Sequence, residues 1–139
     1  MAARIDLTFD CTNAKLLAEF WKLALGYVDK PPPPPFATEA EWLRDLGIPE
    51  EEWDDGAWLC DPTGAGPQLS ILKVPEPKLA KNRLHIDVRV GGTGSRDERW
   101  ARITAEVERL TAAGATTLWV DTDHHVVMAD PEGNEFCVA

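Results

Sequence analysis

The sequence predicts an α+β protein built from a doubled unit of one strand, one helix and about three further strands. Internal similarity carries this reading, because a repeat sets the architecture before any single element does. RIDLTFD (4–10) and HIDVRV (85–90) share an alternating pattern with Asp at the third position, and each precedes an amphipathic segment. AWLCDPTG (57–64) and VVMADPEG (126–133) then end in the same kind of turn, and each leads into a last short strand, QLSILKV (68–74) and EFCV (135–138).

In the first strand Ile5, Leu7 and Phe9 alternate with Arg4, Asp6 and Thr8. In its counterpart Ile86, Val88 and Val90 alternate with His85, Asp87 and Arg89. Such strands have one apolar face for the core and one polar face, which borders open solvent or a concave cleft. The first helix is read from Leu16, Phe20, Leu23 and Ala24 at helical spacing, with Gly26 where a C-terminal cap belongs. The second shows Trp100, Ile103, Val107 and Leu110, an S-x-x-E capping box of Ser95 and Glu98 at its start, and Gly114 at its end.

Between the first helix and DPTG lies an insert, about residues 30–56. Pro31 to Pro35 favour an extended spacer, a short helix is expected over about 38–46, and GIPEEEWDDG reads as an acidic loop. Trp42, Trp53 and Trp58 are dense here. They either pin the insert to the sheet or wall a ligand pocket. DPTG and DPEG are turn chemistry: Pro sets φ, Asp caps, and Gly accepts positive φ. GGTGS (91–95) lacks the Walker lysine and the spacing of a dinucleotide loop, and is read as a plain connection.

With 139 residues, 44% hydrophobic and 27% charged, the chain is long enough and apolar enough for a single soluble domain with a proper core. A net charge of −10 disfavours nucleic acid and anionic membrane surfaces. No apolar run spans a bilayer and MAARIDLTFD has no signal-peptide core, so a cytoplasmic location is expected. Cys11, Cys60 and Cys137 are odd in number, far apart and without a CxxC pair, which argues against a disulfide framework or a zinc knuckle.

Several polar side chains could carry chemistry. His85 suits a general base or a hydrogen-bonding anchor. Arg4, Asp6, Asp87 and Arg89 either pair with one another or orient a polar ligand. Cys137 would need an activating base to act as a nucleophile, and His85 on a facing strand is the candidate. Glu135 shares the Cys137 face by alternation and reaches a cleft rim or solvent. His124 and His125 point to opposite faces of a strand, one at the surface and one half-buried.

LAEFWKLALGY (17–27), ILKVPEPKLAKNRLHIDVRV (71–90), AEVERLTAAGATTL (105–118) and MADPEGNEFCV (128–138) resemble the vicinal oxygen chelate superfamily, the glyoxalase, bleomycin-resistance and dioxygenase relatives. The resemblance implies a single glyoxalase-like domain over 1–139, with module one about 1–75, module two about 82–139, and one curled mixed sheet around a cleft. Members that use a metal take His, Gln or Glu ligands from the first and last strand of each module. The matching positions here are Arg4, Ser70 (or Leu72 if the register slips by two), His85 and Cys137, where a glutamate is usual. Arg repels a metal, Ser is a poor ligand and Leu none, so no intact metal site, no cofactor and no metal-dependent glyoxalase activity are expected. The resemblance instead implies a small-molecule-binding protein, a homodimer like many relatives, holding an aromatic ligand among His85, Asp87, Arg89, Arg4, Asp6, Ser70, Trp58, Glu135 and Cys137. The alternative it leaves open is a lyase, isomerase or dioxygenase using His85.

Overall fold

The computed structural model describes all 139 residues. In chain order the elements are β1 (Leu7–Cys11), α1 (Ala14–Leu25), β2 (Val28–Asp29), α2 (Glu39–Asp45), a 3-10 helix (Glu50–Asp55), β3 (Gly56–Cys60), β4 (Leu69–Lys73), β5 (Asp87–Val88), α3 (Arg96–Ala112), β6 (Thr116–Asp121), β7 (His125–Ala129) and β8 (Glu135–Val138). The α+β class and the paired strand–helix–three-strand modules are as the sequence predicts. Where the resemblance implied one mixed sheet, hydrogen bonding divides the strands into two four-stranded sheets, ordered β1-β4-β3-β2 and β5-β8-β7-β6. Two compact units result: Met1–Lys22 with Gly26–Pro77, and Leu23–Leu25 with Lys78–Ala139.

In the first unit β1 runs parallel to β4, from Leu7 opposite Leu69 to Cys11 opposite Lys73. The strand therefore starts later than the expected residue 4, and Arg4 and Asp6 lie before it. The Gln68 N–H, the donor that would carry the ladder back past Leu7, is taken by a side chain. Asp6 accepts it on its Oδ1 at 3.3 Å.

The apolar stripe of α1 also differs from expectation. Phe20 and Ala24 are buried as expected, but Leu16 and Leu23 are 52% and 43% exposed, and Ala14, Leu17, Ala18 and Trp21 are buried instead. AKLLAEFWKLAL is apolar on so much of its circumference that more than one stripe satisfies helical spacing. Packing selects between them: Trp21 stacks on Phe9 of β1 with ring centroids 5.2 Å apart. Gly26, at φ 68°, closes the helix with a left-handed cap, as expected.

The short helix of the insert is α2, begun by a capping box between Thr38 and Glu41. The acidic stretch after it is ordered as a 3-10 helix rather than a loop. The tryptophans act as fasteners. Trp42 packs edge-on against Trp58 of β3 at 5.5 Å, Trp53 donates Nε1–H to the Ile48 carbonyl at 3.0 Å, and the Arg44 guanidinium sits over the Trp53 ring at 5.1 Å.

The second unit buries Val88, Ile103, Leu110, Val126, Met128, Phe136 and Val138. The Ser95–Glu98 box starts α3 with both reciprocal bonds formed. His124 lies in the β6–β7 turn rather than in a strand, donating its N–H to the Asp121 carbonyl at 3.0 Å. His125 opens β7 and is half-buried. The paired turns are held by their aspartates. Asp61 Oδ1 accepts the Thr63 N–H at 2.8 Å, and the buried Asp130 accepts the Asn134 N–H at 3.0 Å.

Replacing Ser95 by Ala removes half of the α3 capping box, and denaturant unfolding should show a loss of about 1 kcal/mol. A loss below about 0.3 kcal/mol would mean that the box does not hold this helix.

Candidate functional site

A parallel pairing builds the densest group of ligand-type side chains. β5 is only two residues long, shorter than the expected 85–90, and pairs Asp87 with Cys137 and Val88 with Val138. The Cys137 N–H donates to the Ile86 carbonyl at 2.9 Å, and the Ala139 N–H to that of Val88 at 2.9 Å. Alternation sends Val88 inward, where it is 5% exposed, and leaves His85, Asp87 and Arg89 on the opposite face. Cys137 shares that face because it is the cross-strand neighbour of Asp87.

Asp87 is the hub. Its Oδ1 lies 3.7 Å from His85 Nδ1, its Oδ2 lies 4.0 Å from Arg89 Nη2, and it accepts a hydrogen bond from the Cys137 thiol. Burial, reinforced by the Asp87 charge and that bond, pushes the thiol pKa above its ordinary value, although Lys81 pulls the other way. The side chains of His85 and Asp87 are 44% and 45% exposed, and that of Arg89 78%. Ion pairs this long and this open contribute little to folding.

Glu135, two residues earlier on β8, is held differently. Lys78 Nζ donates to its Oε1 at 3.2 Å, and the Asn82 backbone N–H donates to its Oε2 at 2.9 Å. Lys78 Nζ also donates to the Ala80 carbonyl, folding the 78–82 segment round one ammonium. Burial alone would raise the Glu135 pKa. The N–H bonds from Asn82 and from Glu135 itself, together with Lys78, outweigh it and lower the value. This carboxylate anchors the approach to β5.

The remaining candidates lie in the first unit. Arg4 is exposed ahead of β1. Ser70 stands on β4 between Thr8 of β1 and Trp58 of β3. Trp58 carries the edge contact with Trp42. Thus His85, Asp87, Arg89 and Cys137 gather on one face, while Glu135, Trp58 and Asp6 each have a local structural partner.

Donor chemistry decides how a metal of the superfamily type fits. Two of the four family positions, Arg4 and Ser70, remain a cation and a weak hydroxyl, and Leu72, the alternative to Ser70, is an apolar side chain 37% exposed. That ligand set does not fit. Elsewhere, His85, Asp87 and Cys137 place one nitrogen, oxygen or sulfur each within 4.8 Å of one another. Asp87 is read from the sequence as an ion-pair partner or a ligand-orienting group, and its i+2 spacing from His85 on an alternating strand is the signal that puts both on one face. Lys78 and Asn82 were missed outright, since a loop folded round a distant carboxylate leaves no local pattern.

Comparison with known proteins agrees with this architecture. A family model described as a glyoxalase-like domain matches residues 6–139. Solved structures share the fold at low identity. A possible glyoxalase from Bacillus cereus has a TM-score of 0.60 at 14% identity, covering 99% of this chain and 98% of that one. A glyoxalase/bleomycin resistance/dioxygenase family enzyme from Burkholderia phytofirmans has 0.60 at 15%, covering 98% and 97%. The fosfomycin resistance protein FosX from Listeria monocytogenes, complexed with Mn(II) and sulfate, has 0.61 at 9%, covering 99% and 91%. No curated protein matches the chain. The chain belongs to the glyoxalase-like domain family of the vicinal oxygen chelate superfamily.

Glu135→Gln should destabilise the protein by about 1–2 kcal/mol, because it weakens charge-assisted bonds on a side chain only 15% exposed. The folded carboxyl is more acidic than the ordinary 4.5 of a glutamate. Its contribution is therefore complete above that value and is lost as pH falls through the lower folded one. Stability curves of the parent and Glu135→Gln should converge at low pH. Parallel curves would show that the clamp does not depend on the charge.

Proposed function

We propose that the protein binds a small aromatic molecule, whose polar group is held by His85, Asp87 and Arg89, without the four-position metal centre of its catalytic relatives. One observation carries this reading: Asp87 gathers an imidazole and a guanidinium on an open strand face in contacts too long and exposed to serve folding, beside the thiol that donates to it. A donor, an acceptor and a positive charge within a few ångströms match the needs of a polar ligand group. The aromatic class follows the expectation that the family resemblance raised.

The homodimer belongs to the same reading. Leu118, Trp119 and Val120 on the outer strand β6 are 53%, 57% and 47% exposed, an apolar surface that a second copy would cover. No helix is long and apolar enough to cross a membrane.

A second reading, a lyase, isomerase or dioxygenase using His85, is favoured by the three donor groups within 4.8 Å. The two readings separate on turnover. Binding without consumption supports the first, and product formation abolished by His85→Ala supports the second.

A thermal-shift screen of aromatic metabolites and antibiotics should find a compound that raises Tm. His85→Ala should weaken its binding by about tenfold or more, about 1.4 kcal/mol, while the ligand-free Tm stays close to that of the parent. Equal affinity in His85→Ala, or no hit among the aromatic compounds, would sink the proposal.

A further inference from the structure

We infer that the polar end of the ligand is a carboxylate with a hydroxyl beside it, the carboxylate held by Arg89 and Lys81 and the hydroxyl donating to Asp87. The inference rests on the function proposed above and deepens it. It names the class of ligand, an aromatic hydroxy acid, and adds Lys81 to the residues that hold it.

Charge is unevenly spread along the chain. The whole carries −10, yet residues 78–89 set Lys78, Lys81, Arg83 and Arg89 against Asp87 alone, a balance of +3. A positive stretch in so acidic a chain concentrates anions near the polar face of β5. The cations differ in what occupies them. Lys78 is engaged with Glu135, 3.1 Å from its Oε2. Lys81 has no carboxylate partner, and its Nζ donates to the Asn82 carbonyl beside it at 3.2 Å. The Lys81 charge also reaches the Cys137 sulfur and pulls the thiol pKa down, which puts this ammonium at the Asp87 cluster. Arg89 stands 4.0 Å from Asp87, too far for an N–H···O bond, and its planar fork of donors is open.

Charge balance selects an anion. Lys81 and Arg89 against Asp87 leave one positive charge over. One carboxylate neutralises it, a neutral amide leaves it in place, and an amine adds to it. Shape then selects a carboxylate, whose two oxygens match the parallel N–H groups of a guanidinium in a bidentate pair. Lys81 supplies a point charge, and the His85 imidazole keeps at least one N–H donor in either protonation state.

Asp87 repels a bare carboxylate, and a hydroxyl turns that repulsion into a contact. An ionised carboxylate has about four acceptor positions. His85, Arg89 and the Cys137 thiol address three of them. The fourth is open to a ligand O–H, which Asp87 accepts while Arg89, 78% exposed, swings its outer edge onto the ligand carboxylate.

The test uses the full chain, isotope-labelled and titrated with mandelate, mandelamide, phenylacetate and lactate under amide chemical-shift detection. We expect mandelate to shift the amides of Asp87, Arg89 and Cys137 and to bind about tenfold or more tighter than mandelamide, which lacks the charge. Phenylacetate, which lacks the hydroxyl, should bind about threefold or more weaker than mandelate. Lys81→Ala and Arg89→Ala should each cut mandelate affinity by about fivefold or more, and Arg89→Lys should recover part of it. Arg99→Ala, at an exposed position on α3, should change nothing. Raising salt from about 0.01 M to about 1 M should weaken mandelate and leave mandelamide unaffected. Mandelamide or phenylacetate binding as tightly as mandelate, or an unchanged affinity in Lys81→Ala, would each overturn the assignment. Two outcomes keep it apart from the function on which it rests. Lactate binding as tightly as mandelate fells only the aromatic reading, because the polar end then works without a ring. A neutral or cationic aromatic that binds and is weakened by His85→Ala, with mandelate inert, fells only the hydroxy acid.

Discussion

Two ladder contacts, Asp87 against Cys137 and Val88 against Val138, hold the strand on which the candidate chemistry depends. β5 is too short to persist by itself, and its position is borrowed from β8 through four further backbone bonds, from Cys137, Ala139, Val90 and Gly91. Val88 and Val138 supply the burial that makes this pairing worthwhile, at 5% and 0% exposure. The polar face above them is then organised at almost no cost in core packing. A parallel register also does what a hairpin could not, bringing together residues fifty positions apart without a tight turn beside the site.

Glu135 and Asp87 show how location divides one chemistry into two roles. Both are carboxylates on the same face, two residues or one strand away from Cys137. Glu135 is enclosed by an ammonium and an amide and fixes backbone. Asp87 faces water with partners at 3.7 and 4.0 Å and fixes nothing. A structural carboxylate is recognised by short bonds from groups that cannot move away, and an available one by long contacts to side chains that can.

Much of the fold was legible because the chain states it twice. Matching DPxG turns, matching first strands and the Ser95–Glu98 box are local patterns with local causes, and each led to the right element. What failed was whatever needed a partner distant in sequence. The buried stripe of α1 was chosen by the Phe9–Trp21 stack and not by periodicity. The start of β1 was set by the bond of Asp6 to Gln68, 62 residues on, and the role of Glu135 by a lysine 57 residues away. The candidate site was half visible for the same reason: alternation places His85 with Asp87, but only the β5–β8 register brings Cys137 to them.

The outer strand β6 carries a further consequence. Its pairing with β7 slips by one residue between Thr117 and Trp119, leaving Leu118 as an extra residue in the edge. Such a bulge sharpens local twist and breaks the even row of N–H and C=O groups that a flat strand would offer to other chains. That matters here because Leu118, Trp119 and Val120 form an apolar run facing solvent. The irregularity works against fibrillar stacking, because it denies an unlimited row of identical strands a flat edge to extend.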